Sequence, residues 1–258
     1  MTPVLGEIAL DLKSKIILVT GGGSGIGLEL TRQLATLGNT VIICGRDACK
    51  LAEAARVTGA QAIAGDVTSA DDQDRILSGI QEQHGRLDLL INNAGIFLPY
   101  DFATDPDALH KIESEIAINA TAPLTLTRRA LPLLNMSVQP GVLFIGSGGA
   151  FVALPGTPVY SGTKALIHHC AQTLRHQLKP HGITVFEALP PVVDTDMTSV
   201  LKSDNFKKMK PADLVRNILE GLRRDRTEML VGQSRQIKLL SRIAPAFLFQ
   251  QFAKTEFH

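Results

Sequence analysis

Tyr160 and Lys164 stand four residues apart in Tyr160-Ser161-Gly162-Thr163-Lys164, with Ser147 a short way before them. Residues at i and i+4 of a helix share a face, so the phenol and the ammonium point the same way. A free tyrosine has a pKa of about 10, and a nearby ammonium favours the phenolate and lowers that value. Such a pair can hand a proton to an oxygen on which negative charge is growing, as when a carbonyl carbon receives a hydride. Ser147 can donate a second hydrogen bond to the same oxygen. Lys164 is also long enough to reach the hydroxyls of a bound ribose. Each residue alone has a plainer reading: an exposed helix pair, or a serine in a turn. Joint occurrence favours the chemical one.

These side chains need elements to hold them, and the chain alternates apolar runs with amphipathic stretches. Strands are expected at 15–20, 40–44, 61–64, 87–91, 141–145, 183–188 and 228–231. Helical spacing covers 24–37, 48–57, 71–84, 105–135 and 158–178. Continuous apolar strands separated by helices imply parallel pairing with both faces covered. The expected fold is α/β, a doubly wound parallel sheet in a single domain spanning 1–258. Its ligand should lie at the carboxyl ends of the strands. A substrate lid is expected at 194–210 and a C-terminal tail at 232–258.

The first strand runs into Thr20-Gly21-Gly22-Gly23-Ser24-Gly25-Ile26-Gly27, which opens a helix. Glycines there let the backbone approach a pyrophosphate, and the helix start offers amide donors to it. Gly21, Gly23, Ser24, Gly25, Ile26 and Gly27 are therefore expected to bind a dinucleotide. The second strand ends Cys44-Gly45-Arg46-Asp47. An acidic residue at this tip meets a ribose 2′-hydroxyl, whereas an arginine meets a 2′-phosphate. Gly45 stands in place of the acid and Arg46 follows, so NADP(H) is favoured over NAD(H). Asp47 either neutralises Arg46 or caps the next helix.

Composition narrows the classes further. Hydrophobic residues at 45% and charged residues at 20% fit a globular protein rather than a disordered one. A net charge of +1 argues against nucleic acid as a partner held by charge. Cys44, Cys49 and Cys170 form no zinc-type cluster, and Asp194 and Asp196 lack further ligands, so no metal is expected. A sparse, odd cysteine set suits a reducing, cytoplasmic setting. The stretch 1–15 does not read as a signal peptide, and no apolar run is long enough to span a bilayer. The apolar segment 237–252 carries Lys238 and Arg242. It is expected to pack on the core or on a partner subunit rather than lie in a membrane interface.

Taken together, these motifs resemble the short-chain dehydrogenase/reductase family, over about 15–200. The match runs through Thr20-Gly-x-x-x-Gly25-Ile26-Gly27, Asp66-Val67, Asn92-Asn93-Ala94-Gly95, Asn119, Ser147 and Tyr160-x-x-x-Lys164. The stretches at 38–43, 115–119, 157–160 and 189–195 look closest to the bacterial DltE-type branch. The resemblance implies a Rossmann-like sheet of about seven strands. It implies catalysis by Asn119, Ser147, Tyr160 and Lys164, with Asn119 holding a water that links Lys164 to solvent. It also implies that Asp66 and Val67 flank the adenine, that Asn93, Ala94 and Gly95 line the cofactor, and that Val193 and Thr195 meet its carboxamide. Tyr160 and Lys164 count among the cofactor contacts as well.

Two departures stand out: Pro190-Pro191 where Pro-Gly is usual, and Gly146 where a second serine is common. The implied activity is hydride transfer between NADP(H) and a small ketone or secondary alcohol, by a homodimer or homotetramer. The competing readings are a catalytically silent nucleotide sensor or scaffold, and an epimerase or dehydratase. Substrate choice is expected from 97–102, 148–155 and the lid, whose Lys202, Lys207, Lys208 and Lys210 either attract an anion or face solvent.

Overall fold

Runs of aliphatic and β-branched residues form the centre of the molecule. Ile16–Thr20 (β1), Leu89–Asn92 (β4) and Gly141–Ile145 (β5) are buried along their whole length. They are flanked by Thr40–Gly45 (β2), Gln61–Ala64 (β3), Thr184–Leu189 (β6) and Glu228–Leu230 (β7). The seven strands form one all-parallel sheet in the order β3-β2-β1-β4-β5-β6-β7. The computed structural model describes residues 10–201 and 208–254.

Helices cover both faces. Gly25–Thr36 (α1), Ala48–Thr58 (α2) and Pro211–Arg223 (α7) pack on one, around Val19, Leu30, Leu34, Ile43 and Phe186. Ala70–His84 (α3), Ala122–Leu134 (α5) and Tyr160–Leu178 (α6) pack on the other, around Leu18, Ile76, Leu126 and Phe144. Each strand thus contributes alternate residues to two cores, which is why its sequence is continuously apolar. Two shorter helices end the described chain, Ser234–Ile243 (α8) and Pro245–Ala253 (α9). Leu248 is buried, while Leu239, Ile243 and Phe247 are exposed. The 237–252 segment therefore packs on the core in part only. No described helix is long and apolar enough to cross a membrane.

The single helix expected at 105–135 runs from Ala108 to Leu134 with one irregular turn inside it. Ala108–Ile116 (α4) is followed by one wide π-type turn at Ala117–Thr121, and then by α5. Pro123 is the reason: it has no N–H to give the carbonyl four residues earlier, that of Asn119, so the ladder widens there. Within the lid expected at 194–210, the described residues form a 3₁₀ turn at Asp196–Thr198, and Val193 pairs with Met209. Lys208 is spent on the backbone, donating to Thr198 O at 2.8 Å. Lys202 and Lys207 lie outside the described residues.

Winding reverses between β1 and β4, and the carboxyl ends of these strands open a crevice. The glycine turn closes tightly there. A Cβ on Gly27 would stand 2.1 Å from Gly21 O and 2.5 Å from Asn93 Nδ2. Neither atom belongs to a flexible side-chain end that can swing clear. Gly27→Ala should therefore lower the free energy of unfolding by about 1–3 kcal/mol, the usual cost of overpacking. A chemical denaturation midpoint equal to wild type would show that the turn yields without cost.

Candidate active site

The two ends of the crevice are tied by one hydroxyl. Thr20 Oγ1, at the tip of β1, accepts from the backbone N–H of Asn93 and of Ala94, both at 3.0 Å. It donates in turn to Ile91 O at 3.3 Å. Asn93 Nδ2 returns the tie to Thr20 O at 2.9 Å. Asn93 thereby acts as a brace, and the backbone of Ala94 and Gly95 is what faces the cleft.

A cavity of about 190 Å³ runs from the glycine turn to Tyr160 and Lys164. Gly21, Ser24, Gly25 and Ile26 line one end, with Asn93, Ala94, Gly95, Val193 and Thr195 along its sides. Gly21 and Gly25 have φ of 64° and 51°, a left-handed path that glycine adopts without strain. Thr195 packs on Gly25, where a Cβ would meet it at 3.3 Å. Ser24 starts α1 without a side-chain cap, so no side chain covers the first amides of the helix. This fits a pyrophosphate. Gly23 and Gly27 line neither this cavity nor its neighbour; they shape the turn.

A second cavity of about 150 Å³ continues past Gly21. It is walled by Gly45, Arg46, Gly65, Asp66 and Val67. The sequence-predicted adenosine residues are thus brought together. Asp47 is used at the start of α2, where its Oδ1 accepts from Lys50 N at 2.9 Å. Asp66 Oδ1 accepts from Thr68 N and Thr68 Oγ1, both at 2.8 Å, which holds its own loop. Together the two cavities offer glycine backbone, uncapped amides and an arginine along one cleft, a set that fits a dinucleotide.

Ser147, Tyr160 and Lys164 meet at the far end of the cleft. Ser147 follows β5 and its Oγ accepts from Gly149 N at 3.0 Å. Tyr160 opens α6, and Lys164 lies one turn on, with its Nζ 5.7 Å from the Tyr160 ring centre. Lys164 is buried and donates to Ile145 O at 3.0 Å. Burial pushes the Tyr160 phenol up to about 12, against the pull of a hydrogen bond from Ser147. This differs from the lowered phenol expected from the spacing: here the loss of solvation dominates, and the Glu115 carboxylate adds to the rise. The same burial brings Lys164 down to about 8, opposed by the carboxylates of Glu187 and Glu115.

Asn119 sits in the wide turn, and its amide is committed. Oδ1 accepts from Ile96 N and Nδ2 donates to Ile96 O, each at 2.8 Å. One turn earlier Glu115 Oε1 accepts from Leu98 N at 3.1 Å. The two side chains clamp the 96–98 loop on both sides of Phe97, whose ring packs edge-on against Tyr160 at 4.9 Å. Pro190 and Pro191 line the cleft, and Pro190 O accepts from Gly148 N at 2.9 Å, which ties the two loops beside Tyr160. Tyr100 is buried beneath the loop rather than open to the cleft, with Lys111 over its ring.

Two residues, Glu115 and Glu187, escaped the sequence reading. Glu115 is fully buried beside the site, and burial raises its carboxyl to about 7. Glu187 on β6 is fully buried behind Lys164, and His168 on α6 is bonded to it. His168, Glu187 and Glu228 bring ligand-type atoms within 4.8 Å of one another. A charged residue inside an otherwise apolar strand was the available signal at Glu187.

A third cavity, of about 100 Å³, adjoins the first across Ser147 and Tyr160. Its other walls are mostly apolar, with Phe97, Val152, Leu154, Leu201, Ile237 and Phe252 beside the polar Thr198 and Gln233.

Comparison with known proteins gives the family and the fold. The family model described as short chain dehydrogenase matches residues 15–205. The uncharacterized oxidoreductase DltE of Bacillus subtilis (strain 168) is 32% identical over 251 residues, covering 96% of this chain and all of that protein. An uncharacterized oxidoreductase of Staphylococcus aureus (strain MRSA252) is 30% identical over 217 residues, 82% of this chain and 92% of that one. The crystal structure of a 3-ketoacyl-(acyl-carrier-protein) reductase from Brucella melitensis, complexed with NADH, superposes with a TM-score of 0.77. It is 23% identical and covers 85% of this chain and 97% of its own, a likeness of fold. The chain belongs to the short-chain dehydrogenase/reductase family of oxidoreductases, close to its DltE-like members.

Proposed function

We propose that this protein reduces a ketone, or oxidises the matching secondary alcohol, with NADP(H) as the hydride partner. One observation carries the reading. Ser147 and Tyr160 stand in the wall shared by a dinucleotide-sized cleft and an apolar cavity. A carbonyl lodged in the apolar cavity would meet both hydroxyls on the side that faces the cofactor.

The nicotinamide, when bound, supplies the hydride. The protein's own residues then handle the oxygen. Ser147 donates a hydrogen bond that steadies the growing negative charge. Tyr160 donates the proton, and Lys164 steadies the phenolate left behind. In the oxidative direction the proton returns along the same path. Asn119 and Glu115 keep the 96–98 loop in place, so Phe97 packs against the Tyr160 ring and limits its motion. The third cavity favours a substrate with an apolar substituent, because most of its described lining is apolar.

The cofactor preference rests on Arg46. It lines the second cavity beside Gly45, at the strand tip where an acidic side chain would repel a 2′-phosphate. Asp47 supports this by capping α2 with its carboxylate.

Two measurements test the reading. Absorbance of the reduced nicotinamide, followed with a panel of apolar ketones, should fall about 10²–10⁴-fold more slowly in Tyr160→Phe than in wild type. Equal rates would refute the tyrosine mechanism. Titration of cofactor binding by fluorescence should show Arg46→Ala weakening NADPH about tenfold or more, with NADH little changed. An equal loss for both cofactors would refute the NADP(H) preference.

A further inference from the structure

Tyr160, Lys164, His168 and Gln172 recur at every fourth position of α6 and run along one face of it. The first two carry the proposed chemistry. His168 carries the row into the protein, where Glu187 of β6 faces it, fully buried, and Gln172 brings the row back to the surface. Glu187 Oε2 accepts from His168 Nδ1 at 2.8 Å. The Gln172 amide donates to His168 Nε2 at 3.1 Å, which keeps the imidazole proton on Nδ1, aimed at Glu187. Glu187 Oε1 has no hydrogen-bond partner among the described residues.

A buried carboxylate with one oxygen unpartnered is costly, and replacing it by an apolar residue would relieve the cost. The local backbone is shaped to keep it. A Cβ on Gly146 would stand 2.8 Å from Glu187 Oε1. A serine at that position would collide with the carboxylate, so the departure at Gly146 and the acid at Glu187 are two sides of one arrangement.

The neighbouring charges indicate what the carboxylate serves. Glu228, its register partner on β7, pairs with Lys238 of α8. Lys238 lies over Phe151, whose ring meets His168 edge-on at 5.0 Å. The His169 ring lies 5.5 Å from that of His168, tilted. On the cleft side, burial drives Lys164 toward the neutral amine, and Glu187, then Glu115, oppose that drive. Lys238 has its own partner, whereas Lys164 donates to a carbonyl, Ile145 O, and lies over the Tyr160 ring.

We propose that Glu187 and His168 form a buried charge anchor for Lys164. Glu187 holds Lys164 as an ammonium in a dry site, and the His168 N–H shares the carboxylate charge and fixes its direction. Both are positioning residues that act through Lys164. The inference rests on the catalytic reading of Tyr160 and Lys164 given above.

Lysine labelled with carbon-13 at Cε reports the charge of Lys164 directly, in the full, cofactor-free chain. The signal is assigned by its loss in Lys164→Arg. Glu187→Gln should lower the Lys164 titration midpoint by about one pH unit, the ordinary effect of losing one nearby opposite charge. His168→Phe removes the donor but keeps the carboxylate, so its midpoint should stay at or above that of wild type. A role in packing alone would not move the two in this pattern. An unmoved midpoint in Glu187→Gln, or a fall in His168→Phe, would overturn the proposal. If Glu187→Gln does not fold, Glu187→Asp, which shortens the reach of the carboxylate, is measured in its place: its midpoint should fall, and an unmoved one overturns the proposal. Tyr160→Phe is assayed in parallel. Retained turnover there refutes the catalytic reading, whereas lost turnover with unmoved midpoints refutes only the anchor.

Discussion

The hydroxyl of Thr20 holds the two halves of the sheet together where the winding reverses. It accepts from two backbone amides of the β4 loop and donates to a third group, the Ile91 carbonyl. A valine of the same shape would leave three backbone groups without that partner, each a desolvated polar group with a cost of about 1–3 kcal/mol. The crevice between β1 and β4 is open because no strand or helix fills it, so something must keep its walls at a set spacing. Thr20 and Asn93 do this from inside the fold. The glycine turn can then pack against Asn93 and still leave Gly21 and Gly25 facing the cleft. The cleft, the cavity behind Arg46 and the placement of Tyr160 follow from that spacing.

Much of this was legible in the sequence, for a physical reason. A strand covered on both faces must be apolar throughout, so β1, β4 and β5 announced themselves, and the helices between them required parallel pairing. Strand ends were off by a residue or two: β4 ends on Asn92, whose amide is buried against Thr127, so a polar residue belongs to the strand. The irregular turn at Ala117–Thr121 was in reach as well, since Pro123 denies Asn119 its helical partner.

What stayed hidden depends on contacts between distant segments. Four-residue spacing places Lys164 beside Tyr160, and from that alone a lowered phenol follows. Spacing cannot say how dry the site is, and burial reverses the sign in this structure. The clamp on Phe97 was hidden for the same cause. Asn119 was visible as a residue with a role, but its bond to Ile96 joins positions twenty-three apart. Glu115 lies on a stretch of helix with ordinary polar periodicity, and nothing local marks it as buried. Arg46 is the opposite case, because the strand tip is defined by the strand itself and the next helix.

The buried carboxylates raise a question that stability alone does not answer. Glu115 and Glu187 each keep one oxygen without a hydrogen-bond partner among the described residues, and both act on Lys164. An apolar core would be cheaper to form. An isolated ammonium in the same place would shed its proton, because water no longer solvates it. Carboxylates buried beside this lysine oppose the loss of its proton, Glu187 more than Glu115. The lysine and the carboxylates are therefore electrostatically coupled. That coupling makes Tyr160 dependent on residues it does not touch. It also accounts for Gly146, which matters here for the space it leaves to Glu187 rather than for any bond of its own.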